Sequence, residues 1–310
     1  HRLKRQQFQP ENVVKGAAED TRFAHNDEIY FSIASILKYV PYCGTIYIIT
    51  DHQQPSFVGE FEAQGLCRSG QIQVVDHQEI FRNYQQYLPT FNSLSIESML
   101  WNIKGISNHF IYLNDDFFFN QQSDLSDFLI DGQMVIYGHW QATLIKKMKY
   151  IFRKFLQQNF GMVAEAKYST AQMLSADRVG MTRYYEIHHR PHILSRDLLS
   201  TYFKNNKELL EQQIQFKFRN IDQLLPVGLS NHLAIQSDQA ILKDDIDIAY
   251  LKDGRDLEKF ILALSNSEIK FGCIQSLDQL ESLAEGRIRA ALIQKFTGFL
   301  PSQIQPTTVV

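Results

Sequence analysis

Asn114-Asp115-Asp116 is the densest chemical signal in the chain, two carboxylates and an amide closing a short run, His109-Phe-Ile-Tyr-Leu113, rich in aromatic and β-branched residues. A run this apolar throughout predicts a strand buried on both faces, as in parallel sheets. Acids placed where such a strand ends lie in the crevice at the carboxyl ends of the strands, where open α/β sheets bind ligands. Oxygen donors of this kind suit Mg²⁺ or Mn²⁺. Adjacent residues of a strand point to opposite faces, so both carboxylates reach one ion only if the backbone turns there; otherwise Asn114 and Asp116 share the inner face. A solvated turn is the plainer reading of the same three residues.

The neighbouring pattern says what must hold this turn in place. Asn92 and Ser93 are good N-caps, Ile96, Met99, Leu100 and Ile103 follow at helical spacing, and Gly105 can close a helix over 93–104. Leu88 to Phe91 is then the loop that enters it. Upstream, Ile29, Ile33, Ile36 and Leu37 predict a helix from Asp27 to Pro41, and Thr45 to Thr50 a strand ending in the polar pair Thr50-Asp51. A helix and loop over 57–70, a strand from Ile72 to Val75 and another from Met134 to Tyr137 complete an alternation of strand and helix. That alternation predicts βαβ units and a mainly parallel, Rossmann-like α/β sheet. A single catalytic domain over 1–310 follows, with its sheet in about 20–140, resuming after about 215, and a helical insertion over about 140–215.

A second cluster stands far along the chain. His188-His189-Arg190-Pro191-His192 is dense in imidazole, but Pro191 breaks the helical register that zinc ligands at i and i+4 need, so zinc is disfavoured within this motif. A helix over 196–203, Arg219 within Phe216 to Ile221, and His232 come next. Between the clusters, Ile145, Met148, Ile151, Phe152, Phe155 and Leu156 recur at helical spacing, and Lys146, Lys147, Lys149, Arg153 and Lys154 bring five cations with no acid among them. Such a helix over 144–160 suits an anionic membrane or polymer, or else packs on the domain with a solvated cationic face.

Composition narrows the classes. A chain of 310 residues, 44% hydrophobic and 21% charged, is an ordinary globular protein with a sizeable core. A net charge of −3 supplies no basic field for nucleic acid. Cys43, Cys67 and Cys273 lack CxxC spacing, which argues for a reducing compartment and against zinc. No run of 18 apolar residues and no signal peptide appear. The expected location is the cytoplasm, with peripheral contact at the inner membrane through 144–160.

Pro89 to Ser93, Ile96-Glu97, Ile106-Ser107, Phe110 to Tyr112 and Asn114 to Phe117 together resemble the second conserved region of the Stealth family, roughly PTFNSxxIE followed by LSxxFIYxNDDxF. Arg22-Phe23 with Asp27-Glu28-Ile29, then Ser32 and Ser35-Ile36, resembles the family's preceding segment, and Ile46 to Pro55 its IYIVTxGQxP. His189 to His192 resembles the H-x-P-H of the third region, Phe216 to Ile221 its arginine-bearing stretch, and His232 falls where the family often keeps a histidine. Phe271 to Gln275 and Phe299 to Ser302 match the fourth region more weakly, with Gln275 and Ser276 in place of an Asn-Asp pair, so no metal role is expected of that segment. Asn26 and Ala34 stand where the family has arginines, residues suited to the donor's phosphates. The family's first region, which supplies the first strand, is not found.

The resemblance implies a glycosyltransferase-A-like fold and a sugar-1-phosphate transferase. Its expected donor is a nucleotide-sugar, UDP-linked, and its expected acceptor a glycan hydroxyl in capsular or surface polysaccharide. Asp115 and Asp116, with Asn114, would hold Mg²⁺ or Mn²⁺, Arg219 would meet phosphoryl charge, and His189 would act as base, with a histidine nucleophile that forms a phospho-intermediate as the competing role. Arg22, Asp27, Thr50, Asp51, Asn92, Ser93, Glu97 and His232 would line the substrate. The residues alone leave open a glycosyltransferase that releases UDP, a non-catalytic glycan-binding relative, and the oligomeric state.

Overall fold

The structure is a computed structural model that describes residues 27–162, 165–275 and 277–304. Arg22 and Asn26 lie outside the described residues.

In chain order the first half runs α1 (Glu28–Tyr39), β1 (Ile46–Thr50), α2 (Val58–Ala63), β2 (Ile72–Asp76), α3 (His77–Ile80), α4 (Ser93–Glu97), β3 (His109–Tyr112), β4 (Phe117–Phe119), β5 (Leu129–Ile130), β6 (Gln133–Tyr137) and β7 (His139–Ala142). There follow α5 (Thr143–Phe160), α6 (Tyr168–Arg178), β8 (Arg183–Glu186), β9 (His192–Ser195), α7 (Arg196–Asn205), α8 (Lys207–Ile214) and α9 (Pro226–Gln236). The last elements are β10 (Ala240–Lys243), β11 (Ala249–Leu251), α10 (Leu257–Ser265), β12 (Phe271–Ile274) and α11 (Ser282–Lys295).

The fold mixes helix and sheet, and its strands form small mixed sheets instead of one mainly parallel sheet. β1 pairs with β2, β6 with β10 and β11 with β12 in parallel, whereas β4–β12, β3–β9, β5–β6 and β7–β8 are antiparallel. The strand that leads into the acidic turn, β3, has β9 as its antiparallel partner, with Tyr112 opposite His192. Its residues are half-buried and not fully enclosed, because the edge towards β1 is unpaired. A cavity of about 1060 Å³ lies there, lined by Thr45 to Thr50 on one side and His109 to Asp115 on the other. The stretch 140–215, expected as a helical insertion, is mostly helical but also supplies β8 and β9.

Apolar residues explain why the acidic turn is held firmly. Phe117, Phe118 and Phe119 of β4 are all buried, and the rings of Phe118 and Phe119 meet Phe128, Phe260, Phe271 and Phe296 edge-on at 5.7–6.2 Å. Each such ring contributes roughly 1.5–3 kcal/mol by burial. Gly272 is needed on β12, since a Cβ there would sit 2.0 Å from the Phe118 ring. Helix α1 is tied to the same strand through Ser35 Oγ, which accepts from the Phe119 amide at 2.9 Å.

The basic helix departs from expectation. In α5 it is the cations that turn toward the domain: Lys146 meets Glu186 at 3.4 Å, Lys147 meets Asp177 at 2.5 Å and Lys154 meets Asp222 at 2.9 Å. Leu144, Ile145, Met148, Ile151, Phe152 and Phe155 are exposed together on the outer face. Lys149 is exposed as well, and the paired Lys147 and Lys154 stay partly solvated, so the helix presents an apolar face beside cations that still meet water.

Candidate functional site

The site is assembled from two loops that zip together. Asn92 caps α4, its Oδ1 accepting from the Leu94 amide at 3.2 Å, while its amide nitrogen donates to the Phe216 carbonyl at 3.2 Å and to Gln223 Oε1 at 2.8 Å. Phe91 stacks on Phe218 at 5.5 Å, and its backbone amide donates to the Lys217 carbonyl at 2.9 Å. These bonds hold the 216–223 loop against the start of α4. As a result Arg219 Nη2 donates to Ser93 Oγ at 2.7 Å.

One helical turn after Ser93 comes Glu97, almost fully buried. Burial raises its carboxyl to about 7, with the Arg219 charge and bonds from Tyr112 and Ser93 pulling the other way. Tyr112, on β3, donates to Asn114 Oδ1 and has its phenol pushed well up by burial and by the charge of Glu97.

The acidic turn does bend. The Phe117 amide donates to the Asn114 carbonyl at 3.1 Å, so Asp115 and Asp116 are the central residues of a turn; Asp115 projects to solvent and Asp116 is half-buried. Asp116 Oδ2 accepts from Cys273 Sγ at 3.5 Å, and Oδ1 is buried with no hydrogen-bond partner among the described residues. Burial, then the neighbouring charge of Asp115, raises Asp116 to about 7. An orphaned carboxylate oxygen beside a second carboxylate is a donor set that a hard divalent cation fits, since it would satisfy the oxygen and offset the repulsion.

His189 comes to this neighbourhood from far along the chain. Its imidazole stacks on Tyr168 at 4.8 Å, lies near-parallel to Tyr250 at 6.2 Å, and meets Phe117, the residue after Asp116, edge-on at 6.2 Å. Burial, the Arg219 charge and His188 lower its pKa to about 4, so the ring is neutral at pH 7.

Some expected site residues sit elsewhere. Asn92 is fully buried, with its amide group consumed by the loops it joins, and positions the site instead of lining it. His232 is fully buried in the core, where Nε2 accepts from the Tyr185 amide at 3.0 Å and burial lowers its pKa to about 4. Ala34, considered as a lost phosphate contact, is buried in the core face of α1. His192 spends its Nε2 on the His188 carbonyl at 3.0 Å, and Arg190 donates to the Tyr137 carbonyl at 2.5 Å. Thr50, Ser93, Glu97, Asn114 and Asp115 line the cavity between β1 and β3, as does Asp27, which pairs with Arg289 at 2.5 Å. Asp51 follows Thr50 in the turn after β1, half-buried. Tyr112, Tyr168, Tyr250 and Cys273 were not anticipated; Cys273 reaches Asp116 because β12 pairs with β4, a contact between residues 157 apart that no local pattern signals.

Residues 22–136 match the family model described as Stealth protein CR2, conserved region 2. The chain is 30% identical over 236 residues to an exopolysaccharide phosphotransferase of Streptomyces coelicolor, covering 76% of this chain and 23% of that protein. It is 44% identical over 109 residues to a capsular polysaccharide phosphotransferase of Neisseria meningitidis, 35% of this chain and 27% of the relative. A capsular polysaccharide phosphotransferase of Actinobacillus pleuropneumoniae matches at 38% over 125 residues, 39% of this chain and 32% of the relative. The matched segments thus span less than a third of each relative's length.

Proposed function

Because the chain belongs to the Stealth family, we propose that it transfers a sugar-1-phosphate from a nucleotide-sugar, UDP-linked, to a hydroxyl of an acceptor glycan in capsular or exopolysaccharide synthesis. The observation that carries this reading is that a neutral imidazole, a guanidinium and a two-carboxylate turn from three separate stretches of chain are brought to one neighbourhood.

In the proposed reaction the acceptor oxygen attacks the phosphorus that bears the sugar. The bond to the bridging oxygen breaks, and UMP departs with the electron pair. His189 accepts the hydroxyl proton. Burial is the main cause of its low proton affinity in the free protein, and donor phosphates that neutralise the Arg219 charge would remove the second cause and raise that affinity in part. Arg219, held in orientation by Ser93, spreads the negative charge of the transferring phosphoryl group. Asp115 and Asp116, with Asn114, would hold Mg²⁺ or Mn²⁺, which supplies Lewis-acid neutralisation of the diphosphate when bound. Thr50, Asp51, Ser93, Glu97 and Asp27 would face the substrates.

We place the protein on a glycosyltransferase-A-like scaffold at the cytoplasmic face of the membrane, in peripheral contact through α5. Incubating the chain with UDP-sugars, Mg²⁺ and a glycan acceptor tests the chemistry. UMP with a phosphodiester product is expected; UDP release would instead identify glycosyl transfer, and binding without turnover a non-catalytic glycan-binding role.

A further inference from the structure

Outside the proposed active site, His139 at the start of β7, His188 in the turn after β8 and Asp245 in the loop after β10 meet at the protein surface. Asp245 Oδ2 stands 2.5 Å from His139 Nδ1 and 3.5 Å from His188 Nε2, and the three ligand atoms all lie within 4.8 Å of one another. The two imidazoles lie 5.8 Å apart and 34° from parallel. Among the described residues it is the one trio of His, Cys, Asp or Glu that converges so closely.

We propose that His139 Nδ1, His188 Nε2 and Asp245 form a transition-metal site of the zinc class, with water completing the coordination. Two imidazoles and one carboxylate are a borderline-soft donor set that prefers Zn²⁺ and its first-row neighbours to Mg²⁺. Ligand atoms on a tetrahedral Zn²⁺ with bonds of about 2.1 Å stand roughly 3.4 Å apart, so side-chain rotation of about 1 Å closes the shell.

An independent observation points the same way. The other nitrogen of His139, Nε2, faces Glu186 Oε2 at 3.8 Å, and Glu186 is itself fixed by Tyr184 Oη at 3.0 Å and by Lys146 at 3.4 Å. A carboxylate behind a ligating imidazole sets its tautomer and basicity, and such an outer partner is a recurrent part of metal sites. The plainer alternative is an ion-paired cluster, in which Asp245 bridges two protonated histidines. Cation binding would staple the β10–β11 loop to the paired strands β7 and β8, one residue from His189, without taking part in phosphoryl transfer. The site stands whether or not the proposed reaction does.

Elemental analysis of the chain after exposure to excess Zn²⁺ and exhaustive dialysis, together with the visible spectrum of the Co²⁺ form, decides between the two. Roughly one equivalent of Zn²⁺ and the d–d bands of four-coordinate Co²⁺ are expected. Both should be lost in His139→Gln and in Asp245→Asn, while Glu186→Gln should weaken Zn²⁺ affinity about 10- to 100-fold with the spectrum kept. Circular dichroism identifies any variant that fails to fold, and the other then carries the comparison. Failure of the wild-type chain to retain Zn²⁺, or bands unchanged in a folded His139 or Asp245 variant, would overturn the site.

Discussion

Arg219 and Ser93 are 126 residues apart in sequence, yet the guanidinium donates to the hydroxyl at 2.7 Å, so the arginine loop and the cap of α4 form one unit. Beside them, His189 is locked between aromatic rings that fix the plane of its imidazole. The two residues should fail differently when removed. A base that touches only the acceptor changes the transition state, so His189→Ala should lower kcat roughly 10²- to 10⁴-fold and leave donor affinity nearly unchanged. Phosphate charge is present in both ground and transition states, so Arg219→Ala should raise the donor KM and lower kcat together. Steady-state kinetics with UDP-sugar measures both; a histidine variant that loses only donor affinity would refute the assignment of the base.

Asp116 offers a pH-dependent test. Its carboxyl is raised from 3.8 to about 7, so the folded state holds the proton more tightly than the unfolded chain. The stability this contributes is full below pH 3.8 and is lost as pH rises to about 7, because ionisation then places a charge in a buried site. Asp116→Asn should therefore be stabilised relative to wild type at pH 8, with the difference shrinking below pH 5. Mg²⁺ should restore wild-type stability at pH 8 but not that of the variant, and EDTA should abolish transfer. Urea titrations at the two pH values, with and without Mg²⁺, read this directly; a Mg²⁺ effect equal in both proteins would remove the metal from this turn.

Much of the local structure was legible in the sequence. The helix after Asp27, the strands at 46–50, 72–76 and 109–112, and the acidic turn stand where periodicity and turn chemistry place them. What was not legible depends on contacts distant in sequence. The antiparallel pairing of β3 with β9 and the half-exposure of β3 cannot be read from an apolar run, which looks the same in either sheet type. The helix expected over 93–104 is α-helical only over Ser93–Glu97 and continues as a 3₁₀ turn at Leu100–Asn102, a change that hydrophobic spacing does not signal. His232 and Asn92 matched family residues and Ala34 replaced one, but all three are enclosed, and a motif carries no information on which way a side chain faces. An arginine at position 34 would carry its charge into the core, so no phosphate contact is expected from that position.

The cavity between β1 and β3 makes a prediction about the sheet. A strand of five residues fills roughly 800 Å³, at about 3.3 Å per residue, 4.8 Å lateral spacing and 10 Å between covering layers, close to the 1060 Å³ observed. We expect a strand equivalent to the family's first region to complete the sheet there. In a longer chain that carries this region, amides of 46–50 and 109–112 should exchange with solvent orders of magnitude more slowly than in the present chain. Equal exchange in both would mean that the cavity serves another occupant.

Helix α5 sets the last prediction. Its lysines are drawn down onto Glu186, Asp177 and Asp222, which leaves six large apolar side chains facing outward along one side. An exposed apolar stripe on an amphipathic helix with low overall hydrophobicity is the arrangement of helices that lie in the membrane interface. Since three of the cations are already paired, the attraction should come mainly from apolar burial and depend little on salt, with the exposed Lys149 adding to it on anionic lipid. The chain should cosediment with vesicles of mixed phosphatidylglycerol and phosphatidylethanolamine at both low and high ionic strength. Phe152→Asp and Phe155→Asp together should abolish binding, because each places a charge in the acyl boundary, while circular dichroism remains unchanged. A chain that ignores vesicles but forms a dimer dissociated by the same substitutions would assign this face to a second copy.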